Sequence, residues 1–191
     1  MRQNPERRAA LVDAAIEVLA REGARGLTFR AVDAQAAVPN GTASNYFANR
    51  DALLTQVGGR VHERLQPDTA TMAKALAGPR DRAKVVQLMH ELISRIGEFR
   101  SGYLALLELR LEATRRPALR EVLTGQIRAD LDANIGFHLQ SDLPGDATGV
   151  VLLYLAMNWL TVERLTLPDV FTDEQVRQLV DDAVERFLPI R

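Results

Sequence analysis

The sequence predicts an all-α protein of about nine helices: a small N-terminal helix-turn-helix domain followed by a larger helical domain. Three observations carry this prediction. Apolar residues recur three and four apart along most of the chain, the period of a helix that buries one face. Helix-start residues (Asn4-Pro5, Thr28, Asn49, and Thr172 with Gln175) stand just ahead of those stripes. Beyond Pro67 no segment shows a credible strand pattern.

The first helix opens with Asn4 as N-cap and Pro5 at the first helical position, where a missing N–H costs nothing. Leu11, Val12, Ala15, Ile16 and Leu19 form its apolar stripe, and Gly23 stops it. Gly26 and the cap Thr28 open a second helix, and Phe29, Val32, Ala36 and Val38 face the rest of a small domain. After a tight turn comes a short third helix, Asn40 to Tyr46. Asn49 caps a fourth, with Leu53, Leu54, Val57, Val61 and Leu65 on one side. Its Gly58-Gly59 pair lowers helix stability by roughly 1 kcal/mol per glycine, and reads as either a flexible point or a close packing contact.

Pro67 and Gly78-Pro79 break the pattern. The expected domains are residues 1–48, a connecting helix over 49–66, and a helical domain over 67–191. In the last, one helix runs from about Arg80 to Gly97 with Val85, Leu88, Met89, Leu92, Ile93 and Ile96 inward, and another spans Ser101 to Arg115. Pro117 opens a third, with Leu119, Leu123, Ile127, Leu131 and Ile135 on one side, and Leu139 to Gly145 is a loop. The helix from Ala147 to Leu165 is apolar over most of its circumference. The last helix starts at a capping box, Thr172 with Gln175, and carries Val176, Leu179, Val180, Ala183, Val184, Phe187 and Leu188. Leu152, Leu155, Trp159 and Val162 exceed what one core needs. With the final helix they read as half of a self-complementary four-helix dimer bundle, over about 147–165 and 172–188.

Composition narrows the function. The 191 residues are 47% hydrophobic and 26% charged, as in an ordinary soluble globular protein. There is no cysteine, so thiolate metal sites and cysteine nucleophiles are excluded, in agreement with a reducing cytoplasm. The charged start MRQNPERR carries no secretory signal pattern. The apolar run Val150 to Met157 is too short to cross a bilayer, so no membrane partner is expected. The three histidines, His62, His90 and His138, lie in no metal-ligand spacing, and neither a phosphate loop nor a GxSxG elbow occurs. Neither an enzyme nor a cofactor is expected. Residues 1–64 hold nine arginines against seven acidic residues, whereas 65–191 hold fifteen basic against eighteen acidic. That weak asymmetry suits DNA contact through a few placed arginines.

The stretch Thr28 to Arg50 is the most informative. A bihelical unit of that size fits the helix-turn-helix, whose second helix enters the major groove. The short helix carries almost no apolar side chain, and Asn40, Thr42, Ser44 and Asn45 can reach base edges and phosphates.

The order LVDAAIEVLAREG, GLTFRAV, AAVPNGTASNYF and NRDALL across residues 9–57 resembles the N-terminal domain of the tetracycline-repressor (TetR) family of bacterial transcription regulators. The chain departs from the family pattern at Ala37, where a turn glycine is usual, and at Asp33, where alanine is usual. It departs also at Pro39 and at Ser44-Asn45. The resemblance implies a cytoplasmic homodimer on a palindromic double-stranded DNA operator, acting as a repressor. It implies DNA contacts from Thr28, Arg30, Asn40, Gly41, Thr42, Ser44, Asn45, Tyr46 and Arg50, the last joining its charge to the helix N–H groups at phosphate. It also implies a small-molecule effector, apolar or amphipathic, held in the larger domain. Candidates are Met89, Phe99, Tyr103, Leu107, Arg110, Phe137, Tyr154, Met157 and Asn158, with Arg110 and Asn158 singled out because buried polar groups demand a partner. The alternative is a helical protein-interaction module that has lost DNA binding, which near-neutral charge allows.

Overall fold

A computed structural model describes residues 4–189 and holds ten helices among them. In chain order they are α1 (Pro5–Gly26), α2 (Phe29–Gln35), α3 (Thr42–Tyr46), α4 (Arg50–Leu65) and α5 (Thr69–Leu76). They continue with α6 (Arg82–Glu98), α7 (Arg100–Ala113), α8 (Pro117–Gln140), α9 (Ala147–Thr166) and α10 (Asp173–Phe187). All nine helices read from the sequence are present. The tenth, α5, occupies the Pro67 to Pro79 stretch. Asp68 caps it, accepting the Thr71 N–H at 2.7 Å. It buries only Ala75, so it carries no stripe that periodicity could detect.

The starts form as their chemistry dictates. The Asn4 side chain accepts from Glu6 and Arg7, Thr28 from Ala31, and Asn49 from Ala52. Thr172 and Gln175 satisfy each other's backbone donors reciprocally. Gly23 breaks α1, as read, with φ 67° and ψ −177°, and the last turn resumes beyond it. Beyond the break the Glu108 carboxylate accepts the Ala24 N–H at 3.0 Å, and the Ala24 carbonyl accepts both the Leu27 N–H, at 3.3 Å, and the Arg50 guanidinium.

Packing divides the chain into two compact units, one of residues 1–66 with 99–126 and the other of 67–98 with 127–191. Thus one crossing coincides with the Pro67 break, while α7 and the start of α8 return to the N-terminal helices. The first core is built from α1, α2, α4 and α7, with Leu11, Ile16, Leu19, Val32, Leu53, Leu54, Val57 and Leu109 all fully buried. Each such aliphatic side chain contributes about 1.5–3 kcal/mol of burial. Helix α4 runs unbroken through Gly58, where a Cβ would lie 3.2 Å from the Leu123 side chain. The glycine pair is therefore a packing contact at Gly58. Arg60 clasps Asp13 through two bonds, at 2.9 and 3.1 Å, tying α4 to α1 and holding the Asp13 carboxyl below its usual range.

In the second unit α6, α9 and α10 pack together around Val85, Ile93, Leu153, Met157, Val180 and Val184. His90 meets Asp181 at 2.8 Å, joining α6 to α10. The buried His138 Nε2 lies 2.8 Å from the Pro144 carbonyl and so carries a proton, closing the loop between α8 and α9. One α9 face is left uncovered, with Leu152, Leu155 and Trp159 exposed at one-turn spacing.

The turn between α2 and α3 is a Schellman motif. The Val38 N–H returns to the Asp33 carbonyl at 3.0 Å and the Ala37 N–H to Ala34 at 3.2 Å. That geometry puts Ala37 at φ 52°, in the left-handed region where a Cβ costs roughly 1–2 kcal/mol. The turn glycine of the resemblance thus has a physical reason, and alanine occupies its place under strain. Ala37→Gly, at an exposed position, is expected to stabilise the chain by about 0.5–1 kcal/mol in urea unfolding, after the extra unfolded-state entropy of glycine is offset. Destabilisation would show that the left-handed alanine carries no net strain.

Candidate nucleic-acid interface

The short helix α3 has five residues, too few to be stable alone, so its neighbours must hold it. Two side chains anchor it from below: Ala43 is fully buried, and Phe47, just past its end, is among the largest side chains in the first core. Its amino end has no capping side chain of its own, because the N-cap is Gly41 at φ 90°. Asp33 takes over that task from α2. Its carboxylate is 1% exposed and accepts the Gly41 and Ala43 N–H groups, each at 2.7 Å. At the carboxyl end Arg8 reaches from α1, donating to the Tyr46 carbonyl and to Gln56 Oε1, both at 2.8 Å. The same guanidinium lies 5.2 Å from the Phe47 ring centroid, within cation–π range.

What remains outward is polar. Asn40, Gly41, Ser44 and Asn45 are exposed, while Thr42 and Tyr46 are half-buried. The Ser44 hydroxyl donates to the Gly41 carbonyl at 2.8 Å, and the Thr42 hydroxyl donates to the Pro39 carbonyl. With their protons so used, both oxygens face an approaching group as acceptors. Thr28 and Arg30 are exposed on α2, with the Thr28 oxygen accepting the Ala31 N–H at 3.1 Å. The structure thus brings eight of the nine sequence-predicted positions to one stretch of α2 and α3.

Arg50 differs. The sequence places its charge at phosphate, but its guanidinium turns inward to the Ala24 carbonyl and its Nε is buried without a partner. The carboxyl end of broken α1 carries partial negative charge, and the Glu112 carboxylate lies close enough to feel the Arg50 cation. Those attractions draw the side chain into the protein.

The effector candidates are distributed between the two units. Met157 belongs to the second core, with Met89 and Phe137 packed against it. Tyr154 and Asn158 are half-buried on the same α9, and the Asn158 side chain donates to the Tyr154 carbonyl at 2.8 Å. Phe99 packs on the first core, and Tyr103 and Leu107 lie on α7 of that unit. Arg110 is exposed, so burial makes no demand for a partner there, and the reason for singling it out fails. Helix α7 turns its Leu109 face inward, which carries the next residue out.

Two contributors escaped the sequence reading. Asp33 carried a signal, an acidic residue in a register of apolar positions, but its role depends on where the following turn places two N–H groups. Arg8 carried none, since Tyr46 is distant along the chain and only folding brings its carbonyl near. Among the described residues no cluster of His, Asp or Glu could hold a metal ion, and no helix is long and apolar enough to cross a membrane.

Comparison with known proteins agrees with this geometry. Residues 11–57 match the family model for bacterial regulatory proteins of the tetR family, and residues 80–189 match that for a tetracyclin repressor-like C-terminal domain. The HTH-type transcriptional regulator BetI of Rhizobium meliloti is 30% identical over 143 residues, covering 74% of this chain and 68% of that protein. Among solved structures, the multidrug binding protein EbrR complexed with imidazole is 28% identical, with a TM-score of 0.70 over 98% of both chains. The same protein complexed with ethidium gives a TM-score of 0.69 at 28% identity, covering 97% of this chain and 100% of that one. A TetR-family member from Streptomyces coelicolor A3 is 29% identical with a TM-score of 0.68, covering 97% of this chain and 100% of that one. The helix-turn-helix, the helical C-terminal domain and these matches, spanning both ends of the chain, establish that it belongs to the TetR family of DNA-binding transcriptional regulators, which are not enzymes.

Proposed function

We propose that this regulator is a ligand-responsive repressor that binds a palindromic operator as a homodimer in the cytoplasm. The observation that carries the DNA reading is α3 itself. It is pinned beneath by Ala43 and Phe47 and shows short hydrogen-bonding groups outward, as a helix covered by nucleic acid requires. Asn40 and Asn45 pair with adenine edges, and Thr42 and Ser44 accept from base amino groups or bond through water to phosphate. Gly41 permits close backbone approach, and Tyr46 meets the sugar-phosphate edge. Thr28 and Arg30 hold phosphate from α2. At the Arg50 position the amino end of α4 offers N–H groups rather than a free charge.

The dimer reading rests on the uncovered α9 face, where Leu155 is 56% and Trp159 66% exposed, together with the exposed Leu179 of α10. Apolar side chains of that size in one stripe lose free energy in water and gain it against a second copy. Two copies place two α3 helices on one duplex, matching two-fold operator symmetry. For the effector, EbrR complexed with imidazole and with ethidium supports a small organic ligand, apolar or amphipathic. Met89, Phe137, Tyr154, Met157 and Asn158 are the candidate contacts, all within the second unit. Such a ligand releases DNA by binding more tightly to the spacing of the two heads that cannot span the operator.

Selecting bound duplexes from a random pool, with and without lipophilic compounds, tests the whole reading; recovery of no common symmetric sequence would sink it. On the selected duplex, Asn45→Ala is expected to relax preference at one base position at a cost of about 1–3 kcal/mol. Arg30→Ala is expected to weaken all duplexes alike and to make the salt slope shallower by about 1. Identical behaviour of the two variants on selected and random duplexes would refute these roles. Trp159→Glu combined with Leu155→Glu is expected to give monomers in sedimentation and to lose operator binding; a persistent dimer would place the interface elsewhere.

A further inference from the structure

We infer that Asp33 and Arg8 are positioning residues for operator recognition: a buried carboxylate at one end of α3 and a guanidinium at the other hold its reading face in a single orientation. This inference rests on the DNA reading of α3 given above. The helix is too short to keep its shape, and its N-cap glycine offers no side chain. Asp33 therefore satisfies the Gly41 and Ala43 donors with one oxygen each, at 2.7 Å, the short distance of a charge-assisted bond. Arg8 fixes the Tyr46 carbonyl and is itself fixed by Gln56 of α4 and by the Phe47 ring. The signs follow the helix dipole, negative charge at the amino end and positive at the carboxyl end.

The Asp33 carboxylate, at 1% exposure, cannot touch DNA. Its charge lies beneath a surface meant for phosphates, so electrostatics alone makes it unfavourable for DNA of any sequence. A buried acid there is explicable if the orientation it imposes outweighs that repulsion when bases are read. The two effects have opposite signs on removal, which separates positioning from general stability. Loss of orientation lowers affinity only where base contacts are made. Loss of the negative charge leaves random-sequence affinity unchanged or raises it.

The test compares full-length wild type with Asp33→Ala, Asp33→Asn and Arg8→Lys, on a duplex selected by the wild type and on a scrambled duplex of equal length, across a salt series. Thermal melting and circular dichroism fix a temperature at which the variants are as helical as wild type. Asp33→Asn keeps one acceptor oxygen, and Arg8→Lys keeps the charge without the two-pronged reach, so both remain informative if Asp33→Ala fails to fold. The expected result is a fall of about tenfold or more on the selected duplex for both Asp33 variants. Scrambled-duplex affinity stays within about twofold or rises, and the salt slope is unchanged. Arg8→Lys is expected to lower selected-duplex affinity likewise. A parallel fall on both duplexes, or no change on either, overturns the positioning role and leaves the DNA reading standing. A wild type that selects no duplex overturns the DNA reading itself and this inference with it.

Discussion

The buried carboxylate of Asp33 is the interaction on which the presentation of α3 depends. One residue closes the turn three times. Its carbonyl ends α2 by accepting Val38, and its two side-chain oxygens begin α3 by accepting Gly41 and Ala43. A carboxylate taken out of water costs several kcal/mol unless it is paired or well bonded, and here two short bonds to helix-start N–H groups compensate it. The alternation of a positive-φ Ala37 and a positive-φ Gly41 on either side of Val38 and Pro39 is what aims those N–H groups back at α2. Strain at Ala37, the cap on α3 and the exposure of its polar face are therefore consequences of one turn geometry.

A second constraint sits at the break in α1. Gly23 interrupts the helix while Ala24 remains buried, and both backbone groups of Ala24 are bonded within the protein, the carbonyl already to the Leu27 N–H. Glu108 of α7 takes the donor, and Arg50 of α4 joins Leu27 on the acceptor. The break thus converts the end of α1 into a joint gripped by two other helices of the same unit. It also explains why Arg50 is not a surface cation. A charged residue at a helix start reads in sequence as a phosphate ligand, but the Ala24 carbonyl, which has a second lone pair beside the one taken by Leu27, accepts the Arg50 guanidinium.

In the second unit, packing leaves one surface unresolved by the chain itself. The α9 helix is apolar nearly all round, and α6 and α10 cover only part of it. Leu153, Met157 and Leu160 are buried, while Leu152, Leu155 and Trp159, on the opposite side, are not. The helix thus serves two faces with one composition, an internal core and an outer stripe. This separates it from α10, whose outer face is polar or charged except at Leu179.

The sequence by itself determined which segments are helical and where most of them start, because caps and apolar periods are local properties of neighbouring residues. Asn4, Thr28, Asn49 and Thr172 each act on N–H groups two or three positions away, so their roles are legible from spacing alone. The polar character of α3 was legible for the same reason. Helix α5 was not, since a short exposed helix with a cap but no stripe leaves no periodic trace. Tertiary structure alone decided what depends on distant partners. Asp33 looks like an intruder in a buried register until the turn brings two N–H groups to it, and Arg8 until Tyr46 arrives beneath its guanidinium. Arg50 and Arg110 read as functional cations, yet one is drawn inward by the Ala24 carbonyl and the other is turned to solvent by the face α7 buries. Local propensity fixes the elements, whereas the fate of a charge depends on which groups the fold places within a few ångströms of it.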